Sequence, residues 1–205
     1  MSTTSLRRGV RFATAVGALL GALLVPASAA AATETFRFFE VNADANYTVV
    51  DQCADGTTRT AFVTVIGGHE EEQVNGETTT DEDFLTVLLR GATCEQTFGF
   101  VRALGTGDQE FTWSPSLQTA SVTGTATGGG HVVTVDMTWE GTGPIETTQN
   151  TTTRPGFVGH FTGKERDAVA TGTVVVDGET LVDGSTTNAE IETLEDTNTS
   201  TPSGG

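Results

Sequence analysis

The chain has 205 residues, with ten Lys and Arg against 27 Asp and Glu and a formal net charge of −17. That charge excludes partners bound chiefly through Lys and Arg neutralising phosphates, so neither nucleic acid nor an anionic membrane surface fits. Hydrophobic residues make up 36% of the chain, enough for one domain with a core.

The N-terminus carries Arg7, Arg8 and Arg11, an uncharged run over 12–25, then Pro26 and the small residues 27–32. This is the three-part pattern of a secretory signal peptide, and the apolar run falls short of the roughly 18 residues that mark a membrane span. Both Ala29 and Ala32 complete a cleavage pattern; Ala32 is preferred because charge and β-type alternation begin directly after it. The pair Arg7-Arg8 invites comparison with a twin-arginine signal, which its neighbours fit poorly. The predicted organisation is a cleaved signal over 1–32, one domain over 33–193, and a polar disordered tail over 194–205, reading EDTNTSTPSGG from Glu195. The expected location is extracellular. Without residues 1–32, seven basic residues face 27 acids, a net charge of −20, and Lys164 is the only lysine.

Period-2 alternation dominates the mature region, and no segment has the 3.6 period of an amphipathic helix. In chain order the strands predicted are 35–41, 47–52, 59–66, 84–89, 97–102, 117–125, 131–139, 145–152, 157–162 and 168–176. Over 133–139 the odd positions Val133, Val135, Met137 and Trp139 are apolar, with Thr134, Asp136 and Thr138 between them, so one face is core and the other is wet. Turn dipeptides Asp55-Gly56, Asn75-Gly76, Pro155-Gly156 and Asp177-Gly178, with the run Gly128-Gly129-Gly130, punctuate the strands. About ten short strands without crossover helices predict an all-β fold, an antiparallel sandwich that is immunoglobulin-like only loosely or jelly-roll-like, with a closed barrel as the alternative.

Cys53 and Cys94 are the only cysteines, and an exported chain allows them to form a disulfide. Residues 67–83, GGHEEEQVNGETTTDED, hold seven carboxylates and no Lys or Arg. They read as a charged hairpin excursion that guards a sheet edge. The sharper alternative is a divalent-cation site, with calcium as the candidate ion and His69, Glu70, Glu72, Asp81 and Asp83 as ligands, Glu71 among their neighbours. Adjacent residues of a strand point to opposite faces, which weighs against convergence. The stretch Asn42-Ala43-Asp44-Ala45-Asn46 imitates the start of an EF-hand loop, but Tyr47 and Cys53 stand where glycine and glutamate are needed, so it reads as a polar turn.

No G-x-S-x-G, H-E-x-x-H or P-loop motif is present, and the three histidines are far apart. Trp113, just before Ser114-Pro115, is the candidate for stacking on a sugar, whereas Trp139 belongs to the core pattern and Tyr47 is a lesser aromatic candidate. Asn46, Asn150 and Asn198 begin glycosylation sequons, which chance produces readily in so Thr-rich a chain. The function expected is a non-enzymatic extracellular binding or structural module of unassigned ligand. The alternative is a secreted polysaccharide hydrolase using a carboxylate pair.

Overall fold

The computed structural model describes residues 33–201. The expected signal peptide and the last residues of the expected tail lie outside them. The described chain is all β: β1 (Glu34–Gln52), β2 (Thr58–Val74), β3 (Glu77–Ala92), β4 (Thr97–Gly105), β5 (Glu110–Trp113), β6 (Thr119–Gly128), β7 (His131–Gly141), β8 (Glu146–Arg154), β9 (Phe157–Val176) and β10 (Glu179–Ser200). The strands form one antiparallel sheet ordered β10-β1-β2-β3-β4-β6-β7-β9-β8, with β5 beside β6. Because β9 also pairs with β10, the hydrogen-bonded path returns to its start.

The two halves of this sheet pack face to face around a single core, in the manner of a sandwich whose layers are joined along both edges. Gly67 of β2 faces β6 so closely that a Cβ there would stand 2.7 Å from the Cβ of Val122. Trp139 of β7 donates its Nε1–H across the core to the carbonyl of Asp44 on β1 at 2.7 Å, and the Tyr47 hydroxyl of β1 lies 3.1 Å from Met137 Sδ on β7. The interior is made mostly of Val, Leu and Ala, including Val41, Val63, Val87, Leu89, Val133 and Ile191, all fully buried. The small buried residues Ala43, Ala45, Ala61, Ala103 and Ala170 allow the layers to approach. As the alternation predicts, Val133, Val135, Met137 and Trp139 point inward while Val132, Thr134, Asp136 and Thr138 are exposed.

The strands are fewer breaks and more length than the sequence suggests. The stretches 35–41 and 47–52 are one strand, and the stretch 42–46 between them is not a turn: Ala43 and Ala45 are buried in the middle of β1, with Asn42, Asp44 and Asn46 outward. The predicted strands 157–162 and 168–176 are likewise one strand, β9. Two strands were not anticipated, β5 and β10. Residues 194–200, expected to be a disordered tail, are strand: Leu194 pairs with Glu40 of β1 and Gly163 of β9, and Ser200 with Glu34 and Phe157. Ladder hydrogen bonds on both sides hold a segment that has almost no apolar side chains to anchor it.

The acidic stretch forms the two arms of a hairpin, as its sequence predicts. β2 runs on through His69, Glu70, Glu71 and Glu72 to Val74, and β3 returns from Glu77. Asn75 and Gly76 close it with φ of 54° and 81°, the pair of positive values a tight two-residue hairpin turn requires. At the opposite end a disulfide joins Cys53 and Cys94, Cα atoms 5.4 Å apart, tying the β1–β2 turn to the β3–β4 turn. No helix among the described residues is long and apolar enough to cross a membrane.

Candidate binding site

Strand pleating decides which of the predicted ligands meet. On β2, Val63, Val65 and Gly67 face the core, so His69 and Glu71 continue the inner face while Glu70 and Glu72 continue the outer one. Asp83 pairs with His69, and Asp81 with Glu71. His69, Asp81 and Asp83 therefore come together, and Glu70 and Glu72 stand on the other side of the sheet. The five residues read as one cation site do not converge. Among the described residues, no group of three or more His, Cys, Asp or Glu is disposed to hold a metal.

Asp83 is committed to the fold. Its Oδ1 lies 2.9 Å from His69 Nδ1, its Oδ2 accepts from the Phe111 backbone N–H at 2.8 Å, and its carbonyl accepts from Gln109 Nε2 at 2.7 Å. The carboxylate thus pins the short strand β5 and the segment before it to the end of β3. His69 Nε2 is also 3.5 Å from Asp81 Oδ1, which remains well exposed.

Pinning β5 positions Trp113. Its ring stacks on His69 with centroids 4.9 Å apart, lies against Phe111 at 5.9 Å and meets Phe39 at 6.3 Å. Trp113 itself is only partly buried. Arg37 of β1 sits over the Phe39 ring at 5.8 Å, donates from Nε to Glu195 Oε1 of β10 at 2.9 Å and has Glu71 Oε1 3.9 Å from Nη1. Gln73 donates to the same Glu71 oxygen. The result is a continuous run of ring faces bordered by a guanidinium and carboxylates, at the end of the inner face where the Val and Ala core stops. Trp113 on one hand and His69, Asp81 and Asp83 on the other, two different sites by sequence, are neighbours in the fold. Arg37, Phe39, Phe111 and Glu195 carry no motif that marks them, although the period-2 phase puts Arg37 and Phe39 in line with Val41, and Phe111 in line with Trp113.

The outer face carries the second constellation. Asp44 pairs with Glu190, Glu192 with Glu165, and Glu40 with Glu70, which in turn pairs with Glu82. Like charges directly opposite one another destabilise a sheet. Burial is the main cause that raises Glu190 to about 8, followed by the charges of Asp44 and Glu165 and a hydrogen bond shared with Glu165. Burial likewise raises Asp44, against the lowering effect of Asn46, and raises Glu192, against that of Asn42. Burial and the neighbouring Glu40, Glu72 and Glu82 raise Glu70.

The consequence for stability follows from linkage. Glu190 binds its proton up to about pH 8 when folded, against an ordinary value of 4.5, so the folded state holds an extra proton between the two. The stabilisation is full below about 4.5 and is lost as the pH rises through about 8. Solvent still reaches the group, which cuts the effect to the order of 1 kcal/mol. A melting midpoint a few degrees higher at pH 6 than at pH 9 is expected, and Glu190→Gln should flatten the difference.

Two features had no counterpart in the sequence reading. Phe62, Arg90 and Phe100 lie side by side across β2, β3 and β4, with the two rings 51% and 73% exposed. A cleft of about 700 Å³ opens beside the disulfide, lined by Val49, Asp51, Thr93, Gln96 and Leu181 among others. No protein-family model, no curated protein and no solved structure matches this chain.

Proposed function

We propose that the chain is an extracellular, non-enzymatic binding module whose ligand lies against Trp113 at the end of the inner face. The observation that carries this reading is the partly exposed indole held in place by His69 and Asp83 and continuous with Phe39, Arg37, Glu71 and Glu195. Flat apolar area beside charged hydrogen-bonding groups suits a saccharide, which presents C–H faces to a ring and hydroxyl groups to its border. The disulfide and the secretory signal expected over 1–32 support the extracellular setting.

Titration of the protein with a panel of neutral oligosaccharides, read by tryptophan fluorescence, tests the reading. Trp139 is buried and serves as an internal constant, so a saturable change must come from Trp113. Trp113→Ala should abolish the response while costing less stability than removal of the buried Trp139. A panel that leaves the emission unmoved, or a response that survives Trp113→Ala, sinks the proposal.

Calcium is a separate expectation for the acidic arms. An ion held only by the folded state raises the melting midpoint by mass action. Because Asp83 already accepts at both oxygens and Glu70 and Glu72 face away, the midpoint should not move in millimolar calcium. A second reading, a polysaccharide hydrolase, draws support from the raised Glu190 beside Asp44 and Glu165, since an acid that keeps its proton near neutral pH is what glycosidic cleavage needs. Release of reducing sugar that disappears in Glu190→Gln would establish it in place of the first.

A further inference from the structure

β8 ends the strand order and, among the described residues, is hydrogen-bonded to β9 alone. All nine of its residues are exposed. Its pairing with β9 is regular from Glu146 to Arg154, without a bulge. Sheet edges in isolated proteins are normally blunted by charges along the strand, by proline or by bulges. Here the seven residues 147–153, TTQNTTT, carry no charge and no proline, and the two charges stand at the extreme ends, an acid at Glu146 and a base at Arg154.

We propose that β8 is the contact between two copies of this chain, which pair antiparallel about Asn150. In that register Glu146 of each copy faces Arg154 of the other, Thr147 faces Thr153, Thr148 faces Thr152, Gln149 faces Thr151, and Asn150 faces itself. Every pair joins residues of the same parity, as two identical antiparallel strands related by a two-fold axis require if paired side chains are to share a face. Opposite-charge and Thr–Thr cross-strand pairs are both favourable. Sliding by one residue turns every side chain to the wrong face, and sliding by two leaves Glu146 opposite Thr152 in one direction and Gly156 in the other. The strand's charges therefore select one two-fold arrangement, and its two halves are identical.

The chain itself supplies the reason the charges are available. Glu146 sits opposite Glu165 of its own β9, a like-charge pair that an incoming arginine relieves. No ion pair of Glu146 or Arg154 occurs among the described residues, where Arg37 is the one Lys or Arg that is paired with carboxylates. In a chain so rich in acids, an unengaged arginine placed to meet an acid of an identical strand is the charge complementarity that a second copy, and not an arbitrary acidic partner, provides at both ends.

Sedimentation of the full chain over a range of concentrations, at about 0.15 M salt to screen the net negative charge, should show a monomer–dimer equilibrium. Glu146→Arg sets arginine against arginine twice, and Arg154→Glu sets glutamate against glutamate twice. Each should weaken the dimer about tenfold or more, and the double variant E146R/R154E should restore it. These side chains are exposed, so melting midpoints should stay close to that of the unaltered protein, which separates lost association from lost folding. A chain that remains monomeric up to about 1 mM, or a double variant that fails to recover what the single ones lose, overturns the proposal. A dimer indifferent to both single changes also overturns it and points to the Phe62–Phe100 face.

Discussion

Trp139→Ala is expected to lower the stability of the folded chain by about 4 to 5 kcal/mol, the largest effect of any single substitution considered. The indole is 1% exposed and is the largest fully buried side chain. Removing such a ring from a core costs about 3 to 5 kcal/mol, because the walls relax only partly into the space left behind. The hydrogen bond from the indole N–H to the Asp44 carbonyl on the facing layer is lost as well, which adds about 1 kcal/mol. For a domain of this size the melting midpoint should fall by about 10 °C or more. Trp139→Phe separates the two contributions, since it keeps most of the packing and deletes the N–H, and should lose roughly a third as much. A loss below about 1 kcal/mol for the alanine variant would mean that β7 does not cross β1 as described. Trp113→Ala makes the contrast: its ring is partly open to solvent, so its removal should cost less stability than that of Trp139 while abolishing binding.

The difference between these tryptophans was readable before the structure, and the reason is local. Trp139 ends an alternation of Val133, Val135 and Met137, so its phase alone assigns it to the core. The same rule, applied without regard to side-chain size, would have carried β1 through Asn42–Asn46, where alanines alternate with polar residues. Composition obscured the pattern there, because Asn, Asp and Ala are all depleted in strands. β10 was illegible for a related reason. Its segment from Thr193 to Ser200 is almost wholly polar, and what makes it a strand is the pair of ladders offered by β1 and β9, a tertiary cause that no window of sequence contains. The candidate site shows the same division. Pleating could say that Glu70 and Glu72 part from His69, but only the fold could bring Trp113 to His69 from the far end of a separate strand.

Removing the disulfide by Cys53→Ser with Cys94→Ser should cost about 4 kcal/mol, the chain-entropy value for a loop spanning the observed separation of 41 residues. The native geometry around the bridge has its own support. Cys53 N–H donates to the Thr57 carbonyl, Gly56 N–H donates to the Cys53 carbonyl, and Cys94 N–H donates to Asp51 Oδ2. The turns should therefore keep their shape when the sulfurs are gone, and the loss should arise mainly from the greater freedom of the unfolded chain. Two measurements distinguish that origin. In urea the midpoint should fall while the slope of the transition rises, because an uncrosslinked unfolded chain exposes more surface; an unchanged slope would place the effect in the folded state instead. The position of the bridge matters to the fold as well. Pairing of β1 with β10 stops at Ala45 and Ala189, so the remainder of β1 has β2 alone for a neighbour, and the cleft opens there. A covalent tie at the end of the sheet where one ladder is missing holds together strands that hydrogen bonding leaves half supported, so the reduced chain should show its first loss of amide-exchange protection between Tyr47 and Gln52.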